Sequence, residues 1–263
     1  MNLREIYKSL NDLLQKGERV AVATIVSVKG SAPRKNGAKM IVLSDKSTQG
    51  TIGGGIVEAR VIEEACNCIR TRKIKLLHID LNALKNPEID MGCGGKMDVL
   101  VEPAYPPDPV VIFGCGHVGS AIYNILKEID FEVTMVDDRE KFTSVSRFPE
   151  AKMVICSKFR ESFQALEIDE NYYLIICTRA HDHDEECLRI ALKSPAAYVG
   201  MLGSHGKVKR MSRIMEEEGI PVDRIKQIHA PIGLDIGAVT PAEIAISVAA
   251  EMIKFRMQRL QSG

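Results

Sequence analysis

Short apolar runs alternate with longer segments of mixed apolar and polar residues through the second half of the chain. Apolar runs of about four to eight residues are typical of buried strands, and the longer segments between them are predicted to be helices. The predicted strands are Val110–Phe113, Glu132–Val136, Met153–Ile155, Tyr173–Cys177 and Ala197–Met201. Because strands that alternate with helices form parallel sheets, this half is predicted to be α/β with a doubly wound parallel sheet.

The N-terminal part has a less regular pattern, which predicts an α+β domain. Apolar residues recur at helical spacing from Leu3 to Leu14, and Gly17 suits the end of that helix. A second helix is predicted over Ile56–Arg70. The predicted strands are Arg19–Val28, Met40–Leu43, Leu76–Asp80 and the alternating segment Met97–Val101.

Four prolines stand close together in the segment 102–109. Proline fixes its own backbone and removes a hydrogen-bond donor, so this segment is predicted to interrupt helices and central strands. We therefore expect an N-terminal domain over 1–102, a linker over 103–109 and the parallel-sheet domain over 110–263. The final helix is predicted to begin at Thr240, where Pro241 suits the first helical position and Glu243 completes a capping box.

Charge and composition exclude several classes of protein. The 35 Lys and Arg residues balance the 35 Asp and Glu residues, so the chain lacks the basic excess of a nucleic-acid-binding protein. No apolar run approaches the ~20 residues that span a bilayer, and the N-terminus lacks the plan of a signal peptide, so a cytoplasmic location is expected. In a reducing compartment most of the 7 cysteines should be buried thiols. No metal site is assigned, since there is no Cys-x-x-Cys pair.

A glycine-rich turn directly follows the first predicted strand of the parallel sheet; its residues are Gly114-Cys115-Gly116-His117-Val118-Gly119. Gly114 permits the tight turn, Gly116 lets the backbone approach a pyrophosphate, and Gly119 allows close helix–strand packing. Asp137, about 20 residues on, ends the next strand, where an acid can bind ribose hydroxyls. This pattern predicts a Rossmann-like nucleotide site, with NAD(P) as one candidate; a tight turn without a nucleotide is the alternative.

Two details of the nucleotide prediction stay open. Asp138 could bind the ribose instead of Asp137, and the neighbouring Arg139 leaves a phosphorylated ribose possible.

Two further turns follow later strands, at the same carboxyl edge of the sheet. His181 and His183 follow the fourth strand and could transfer protons or bind a metal; the alternative is a solvated turn in which an aspartate caps the next helix. Gly203, Ser204 and Lys207 follow the fifth strand and suit a second phosphate-sized anion; the alternative is an ordinary strand-to-helix turn. Three turns at one edge favour a shared site.

The N-terminal part contains three glycine-rich segments, at 30–38, 50–58 and 91–95. Dense glycine weakens regular structure and usually marks close approach of the backbone to a partner. Gly53, Gly54 and Gly55 precede a helix and could form an anion nest, and Arg34 could clamp a phosphate. For Glu58 the alternative to a binding role is a first-turn charge that complements the helix dipole.

Cys93 stands beside Gly94 and Gly95 and is therefore predicted to be the least crowded thiol in the chain. Consecutive backbone N–H groups there would favour the thiolate, which binds soft metals or attacks sulfur. The alternative is a small residue in a tight turn.

Several separate motifs, in order, resemble the XdhC/CoxI family of accessory factors that mature xanthine dehydrogenase and related molybdenum hydroxylases. The resemblance covers most of the chain and is carried by Gly30-Ser31-Ala32-Pro33-Arg34, Gly53-Gly54-Gly55-Ile56-Val57-Glu58, Cys93-Gly94-Gly95, Gly114-Cys115-Gly116-His117-Val118-Gly119, Tyr198-Val199-Gly200-Met201-Leu202-Gly203-Ser204, Ala230-Pro231-Ile232-Gly233-Leu234-Asp235-Ile236-Gly237 and Thr240-Pro241-Ala242-Glu243-Ile244-Ala245.

The resemblance implies a carrier rather than a conventional enzyme. Such proteins bind the molybdenum cofactor (molybdopterin), protect it while its terminal sulfur is installed, and pass it to the apo-hydroxylase. A cysteine desulfurase is a further implied partner, and a homodimer is the implied assembly. Cys93 would contact the cofactor and Gly53–Gly55 would shape the pocket. Ile56 stands where many relatives have a cysteine, so two-cysteine chemistry is not implied here.

Two other functions remain open at this stage. An NAD(P)-dependent oxidoreductase would use the glycine turn and Asp137 for its nucleotide and His181 as an acid or base. A nucleotide-sensing regulatory partner would bind a nucleotide and carry out no chemistry.

Overall fold

The computed structural model describes residues 1–81 and 95–262. The chain divides into two compact units, one of Met1–Pro106 with Gln258–Gly263 and one of Pro107–Met257. Within the described residues, no helix is both long enough and apolar enough to cross a membrane.

The first unit is built on an antiparallel sheet that carries one helix on its inner face. Its elements are α1 (Leu3–Gln15), β1 (Val20–Gly30), β2 (Lys39–Leu43), β3 (Thr48–Gly50), α2 (Gly55–Thr71), β4 (Lys75–Asp80) and β5 (Gly95–Ala104). The strands lie in the order β3-β2-β1-β5-β4. Val57, Val61, Ala65 and Cys68 place one face of α2 in a buried cluster with the inward-facing strand residues. The α+β prediction for this part is confirmed.

The second unit is a six-stranded parallel sheet. Its elements are β6 (Asp108–Phe113), α3 (His117–Leu126), β7 (Phe131–Asp137), β8 (Met153–Cys156), α4 (Phe159–Ala165), β9 (Tyr173–Ile176), α5 (His181–Ala191), β10 (Tyr198–Met201), α6 (His205–Glu217), α7 (Val222–Lys226), β11 (Ile228–His229) and α8 (Pro241–Ser262). The strands lie in the order β11-β10-β9-β6-β7-β8, and every pairing is parallel. The predicted Rossmann-like, doubly wound sheet is confirmed.

Helices cover both faces of the parallel sheet. The apolar sides of α3 and α8 join one buried cluster, and those of α4, α5 and α6 join another cluster on the opposite face. Strand order reverses between β6 and β9, which are neighbours in the sheet although two strands separate them along the chain. The carboxyl ends of β6 and β9 therefore flank the crevice at which sheets of this kind bind ligands.

The chain breaks between β5 and β6 at residues 105–107, inside the proline-rich segment, and the two strands extend into its ends. Pro103 lies in β5 opposite Ala21, and Pro109 lies in β6 opposite Glu132. Each proline is tolerated because it has a strand on one side only: the β4 pairing ends at Val101, and the β9 pairing begins at Val110.

The last helix begins as its sequence predicts. The Glu243 carboxylate accepts the Thr240 backbone N–H at 2.8 Å, and the Thr240 hydroxyl accepts the Glu243 N–H at 3.3 Å. The reciprocal bonds of this capping box satisfy donors that would otherwise be left without partners at the helix start. By contrast, the N-cap residues of α2 and α3 are glycines, Gly54 and Gly116, which supply no side-chain cap.

Candidate functional site

The glycine turn after β6 has the geometry that its sequence predicts. Gly114 has φ +119°, and a Cβ there would lie 2.3 Å from the Cys177 carbonyl oxygen. A Cβ at Gly119 would lie 1.9 Å from the Gly114 carbonyl oxygen, whereas a Cβ at Gly116 would meet nothing within 4 Å. Two of the glycines are thus required by packing, and the third leaves open space in front of the exposed His117 at the start of α3.

Asp137 is a structural residue of this turn, with a side chain only 2% exposed. Its carboxylate accepts the Cys115 N–H at 2.8 Å and two hydrogen bonds from the Arg139 guanidinium, at 2.8 Å and 2.9 Å. Arg139 also lies over the ring of Phe142, 3.8 Å from its centroid. The carboxylate assigned to a ribose by sequence therefore holds the turn against β7 instead.

Asp138 is the more accessible carboxylate at the mouth of the crevice. It forms a two-pronged ion pair with Arg179, in which Arg179 Nη2 lies 2.8 Å from Asp138 Oδ2. The hydrogen bond from Arg179 lowers the pKa of Asp138, although partial burial opposes the shift. Asp138 follows β7 and Arg179 follows β9, so the pair spans the end of β6 between them. The sequence pattern alone gave Arg179 no role.

The buried carboxylate of Asp184 holds the turn after β9 in place through hydrogen bonds. Asp184 accepts the Thr178 N–H at 3.0 Å and the Thr178 hydroxyl at 2.6 Å, and it also accepts a hydrogen bond from Lys207. The Lys207 ammonium donates a second bond to the Leu202 carbonyl at 3.0 Å. Lys207 thus ties the turns after β9 and β10 together, and its charge is committed to Asp184.

The remaining residues of these two turns differ in exposure. His181 is exposed at the start of α5, whereas His183 packs edge-on against Phe159 and lies 3.9 Å from Asp138. Ser204 caps α6 by accepting the Lys207 N–H, and Gly203 leaves room for the Lys207 stem. His181 is therefore the histidine of this segment that faces solvent beside the crevice.

The glycine-rich segments of the first unit meet at one end of the antiparallel sheet. A Cβ at Gly53 would lie 2.4 Å from Pro33 Cγ, so the triple-glycine turn lies against the loop that contains Pro33. Gly95 pairs with Gly30, and a Cβ there would lie 2.7 Å from the Ser31 carbonyl oxygen. The structure therefore brings Gly95, the last residue of the third segment and its described part, against the first segment. Cys93 and Gly94 lie outside the described residues.

The triple-glycine turn binds a carboxylate of its own helix. Glu58 Oε1 accepts the Thr51 hydroxyl at 2.5 Å, the Ile52 N–H at 3.0 Å and the Gly53 N–H at 3.2 Å. Burial raises the pKa of Glu58, but these hydrogen bonds lower it more, so it lies below its ordinary value. Gly54 and Gly55 follow with φ +84° and +60°. The N–H groups of Ile52 and Gly53 are thus bonded to Glu58, and Arg34 is exposed on the adjoining loop.

The described thiols beside the nucleotide turn are buried. Cys115 and Cys177 are buried, and burial raises the pKa of Cys115 to about 12. Cys156, at the end of β8, is the exposed thiol among the described cysteines. The cysteines beside the nucleotide turn therefore serve packing, as the sequence predicts for most thiols of this chain.

A cavity of about 450 Å³ opens next to the turn after β10. Leu202, Ile232 and Ile244 supply its aliphatic walls, and His205 and Asp235 supply polar groups. The sequence pattern assigned this segment no chemistry, although two glycines, Gly233 with φ +100° and Gly237 with φ +73°, mark an unusual backbone path after the last strand.

Two family models match the chain. A model described as the XdhC Rossmann domain matches residues 110–252, and a model described as the XdhC and CoxI family matches residues 13–80.

Relatives were found among curated proteins and solved structures. The chain is 35% identical over 237 residues to the uncharacterised protein YqeB of Escherichia coli K12, a match that covers 90% of this chain but only 43% of YqeB. It is 22% identical to a Bacillus subtilis 168 protein named as a probable xanthine dehydrogenase subunit, over 94% of this chain and 96% of that protein. It is also 22% identical to the molybdenum cofactor insertion chaperone PaoD of Escherichia coli K12, over 97% and 89%.

One solved structure shares the fold. The crystal structure of a xanthine dehydrogenase from Bacillus halodurans superposes with a TM-score of 0.55 at 21% identity, and the match covers 95% of this chain and 96% of that one.

Proposed function

This chain belongs to the XdhC and CoxI family, and from that premise we propose that it is a maturation factor for a molybdenum hydroxylase of the xanthine dehydrogenase type. In this role it binds the molybdenum cofactor as cargo, protects it while its terminal sulfur is installed, and delivers it to the apo-hydroxylase. The similarity to a protein named as a molybdenum cofactor insertion chaperone supports this assignment.

The observation that carries the proposal is the meeting of the glycine-rich segments at one end of the antiparallel sheet. A Cβ at Gly53 would meet the Pro33 ring, and a Cβ at Gly95 would meet the Ser31 backbone, so these segments approach each other closely where glycine leaves no side chain. Cys93 and Gly94 stand directly before Gly95 in the sequence. A thiolate is a soft ligand suited to the metal end of the cargo.

Glu58 has a supporting role in this proposal. Its carboxylate holds Ile52 and Gly53 in place through their N–H groups, which preorganises the turn without requiring Glu58 to touch the cargo. The exposed Arg34 is the cation available to the phosphate group at this end of the sheet.

The parallel-sheet unit contributes a nucleotide site to the same proposal. The diphosphate lies against the N-terminus of α3 at the open Gly116, where helix N–H groups favour an anion. Asp138 accepts hydrogen bonds from the ribose hydroxyls in place of the buried Asp137. Arg179 gives up its ion pair with Asp138 and binds a phosphate. The nucleotide is NAD(P) or another nucleotide.

Mass spectrometry of small molecules released from the full chain, purified from cells that make the cofactor, tests the function. Molybdopterin or its dinucleotide is the expected result. Release of a nicotinamide nucleotide alone would favour an NAD(P)-dependent oxidoreductase over a carrier, provided that the chain also transfers hydride to or from an added substrate. That hydride transfer should be lost when His181 is substituted. A homodimer and a cysteine desulfurase partner remain proposals, tested by light scattering and by co-purification.

A further inference from the structure

The last helix, α8, has an exposed apolar face on the side that does not pack into the parallel-sheet unit. We infer that this face binds the same face of a second copy of the chain, with the two α8 helices antiparallel. The inference rests on the homodimer of the proposed function and names the surface that forms it; it does not depend on the cargo.

Apolar residues occupy both faces of α8. The residues of the inner face, which pack into a buried cluster of the parallel-sheet unit, are Ala245, Val248, Ala249 and Met252. On the outer face, Ile246, Ile253 and Met257 are 53%, 37% and 50% exposed. A helix that is apolar on all sides is typically buried on all sides, so the outer face should be covered by a partner.

The helix α6 shows how a solvent-facing helix of the same unit is built. Its exposed residues are His205, Gly206, Lys209, Arg210, Arg213, Glu216 and Glu217. Between positions 242 and 257 of α8, the exposed residues are instead Ala242, Glu243, Ile246, Ile253, Lys254 and Met257. The outer face of α8 therefore lacks most of the polar surface that keeps α6 hydrated.

The apolar residues of this outer face form a straight stripe. Ile246, Ala250, Ile253 and Met257 follow one another at steps of four, three and four, which is the spacing of the seam in a two-helix coiled coil. Ala250 lies between the two isoleucines, where its small side chain lets a second helix approach closely. The stripe runs about 16 Å along the helix axis, a length that suits another helix.

The two charged residues beside the stripe favour a second copy as the partner. Glu243 and Lys254 are about three helical turns apart, so they lie on the same flank of the stripe. In an antiparallel pair centred between Ile246 and Ile253, Glu243 of one copy lies within about 3 Å, along the axis, of Lys254 in the other. Two-fold symmetry makes this attractive contact twice. In a parallel pair the two charges stay about 16 Å apart along the axis.

The same antiparallel arrangement matches the sizes of the apolar residues. Ile246 of one copy lies at the height of Ile253 in the other, and Ala242 lies at the height of Met257. A small residue opposite a long, flexible one leaves a space that the methionine can fill. The face is therefore complementary to itself, as a two-fold dimer requires.

Ile246→Lys tests the inference on the full chain, because it places a charge at the centre of the apolar face. Wild type should dimerise with a dissociation constant on the order of 1 μM, and Ile246→Lys should raise that constant at least about a hundredfold. The measurement is sedimentation equilibrium between about 0.1 μM and about 100 μM, a range that brackets the wild-type constant. Val145→Lys changes an apolar residue of the same unit that is 69% exposed and lies outside α8, so it is the matched control and should dimerise like wild type.

Lys254→Glu tests the antiparallel arrangement separately. It turns two attractive contacts with Glu243 into two repulsive ones, so the dissociation constant should rise about tenfold. Adding Glu243→Gln keeps an acceptor for the capping box of α8 and removes the repulsion, so most of the affinity should return. A double variant that dimerises no better than Lys254→Glu would overturn the antiparallel pairing.

A wild type that stays monomeric at every concentration would overturn the inference, even if Ile246→Lys lost binding to an apo-hydroxylase instead. A dimer that persists unchanged in both Ile246→Lys and Lys254→Glu would overturn it too, because the interface would then lie elsewhere. Molybdopterin content, measured on the same samples, tests the carrier role independently. A dimer that is weakened by these substitutions but carries no molybdopterin would contradict the carrier role and still support this interface.

Discussion

The glycine turns before α2 and α3 look alike in sequence and differ in what their N–H groups bind. The turn before α2 binds Glu58, a carboxylate from the first turn of its own helix. In the turn before α3, Asp137 comes from the neighbouring strand and accepts one N–H of the turn, that of Cys115, while the backbone N–H and the guanidinium of Arg139 also donate to its carboxylate. The open Gly116 then faces solvent at the helix start.

Glycine therefore serves a different purpose in each of the two turns. Before α2, glycine lets the backbone fold around an internal anion, so the turn is a rigid edge against which a cargo can lie. Before α3, glycine lets an outside anion approach the first N–H groups of a helix, where a partial positive charge favours it. Glycine content alone therefore does not identify an anion site; the atoms already bonded to the N–H groups do.

The largest expected loss of stability distinguishes Gly119 from Gly116 in the turn before α3. In Gly119→Ala the new methyl would lie 1.9 Å from the Gly114 carbonyl oxygen, a backbone atom that cannot move aside. We expect a loss of at least about 3 kcal/mol in the free energy of unfolding, measured by urea titration. Gly116→Ala has open space and should lose less than about 1 kcal/mol while losing nucleotide affinity. Equal stability of the two variants would contradict this account.

The next largest expected loss of stability distinguishes the two aspartates at the end of β7, Asp137 and Asp138. Asp137→Asn removes the charge of a carboxylate that is 2% exposed and bonded to Arg139, so we expect a loss of about 3 kcal/mol in the free energy of unfolding. Asp138→Asn acts on an accessible pair and should cost less than about 1 kcal/mol, with its main effect on nucleotide binding. A larger loss of stability in Asp138→Asn than in Asp137→Asn would contradict this assignment of the two aspartates.

The smallest expected loss of stability concerns Glu58, which is bonded to the turn before α2. Glu58→Gln keeps an acceptor oxygen but loses the charge, so we expect a loss of about 1 kcal/mol in the free energy of unfolding at pH 7. Because the pKa of Glu58 is lowered from 4.5, its ionised form stabilises the fold above that pH, and this contribution is lost as the pH falls through the lower, folded value.

The stability difference between wild type and Glu58→Gln should therefore shrink between pH 7 and pH about 3, in urea titrations at each pH. Glu63→Gln, at an exposed position on the same helix, is the control and should show no such narrowing. A difference that stays constant with pH would mean that the charge of Glu58 does not hold the turn.

The elements of the fold could be predicted from the sequence because their patterns are local. Predicted strands such as Glu132–Val136 and Tyr173–Cys177 end within one residue of the observed β7 and β9. The short strands β3 and β11 were missed, since three and two residues carry too little pattern. The break between β5 and β6 is shorter than the predicted linker, because Pro103 and Pro109 lie beyond the pairings with β4 and β9 and are tolerated in their strands.

The site was predicted less completely, because it depends on pairings between distant residues. Lys207 suited a phosphate in sequence, but the fold brings Asp184 to it from 23 positions away. Asp137 suited a ribose, but Cys115 and Arg139 occupy its carboxylate. Arg179 had no assigned role until the sheet order brought it to Asp138. Residue type and strand position locate a site; the partners decide which of its groups remain available.

The most direct test of the central claim is the molybdopterin content of two cysteine variants of the full chain, measured as fluorescent oxidised pterin per mole of protein. Cys93→Ser should lower that content at least about tenfold, because serine supplies no thiolate for the metal end of the cargo. Cys156→Ser, which changes the exposed thiol among the described cysteines, should leave it at the wild-type level. Equal pterin content in wild type and Cys93→Ser would contradict the account.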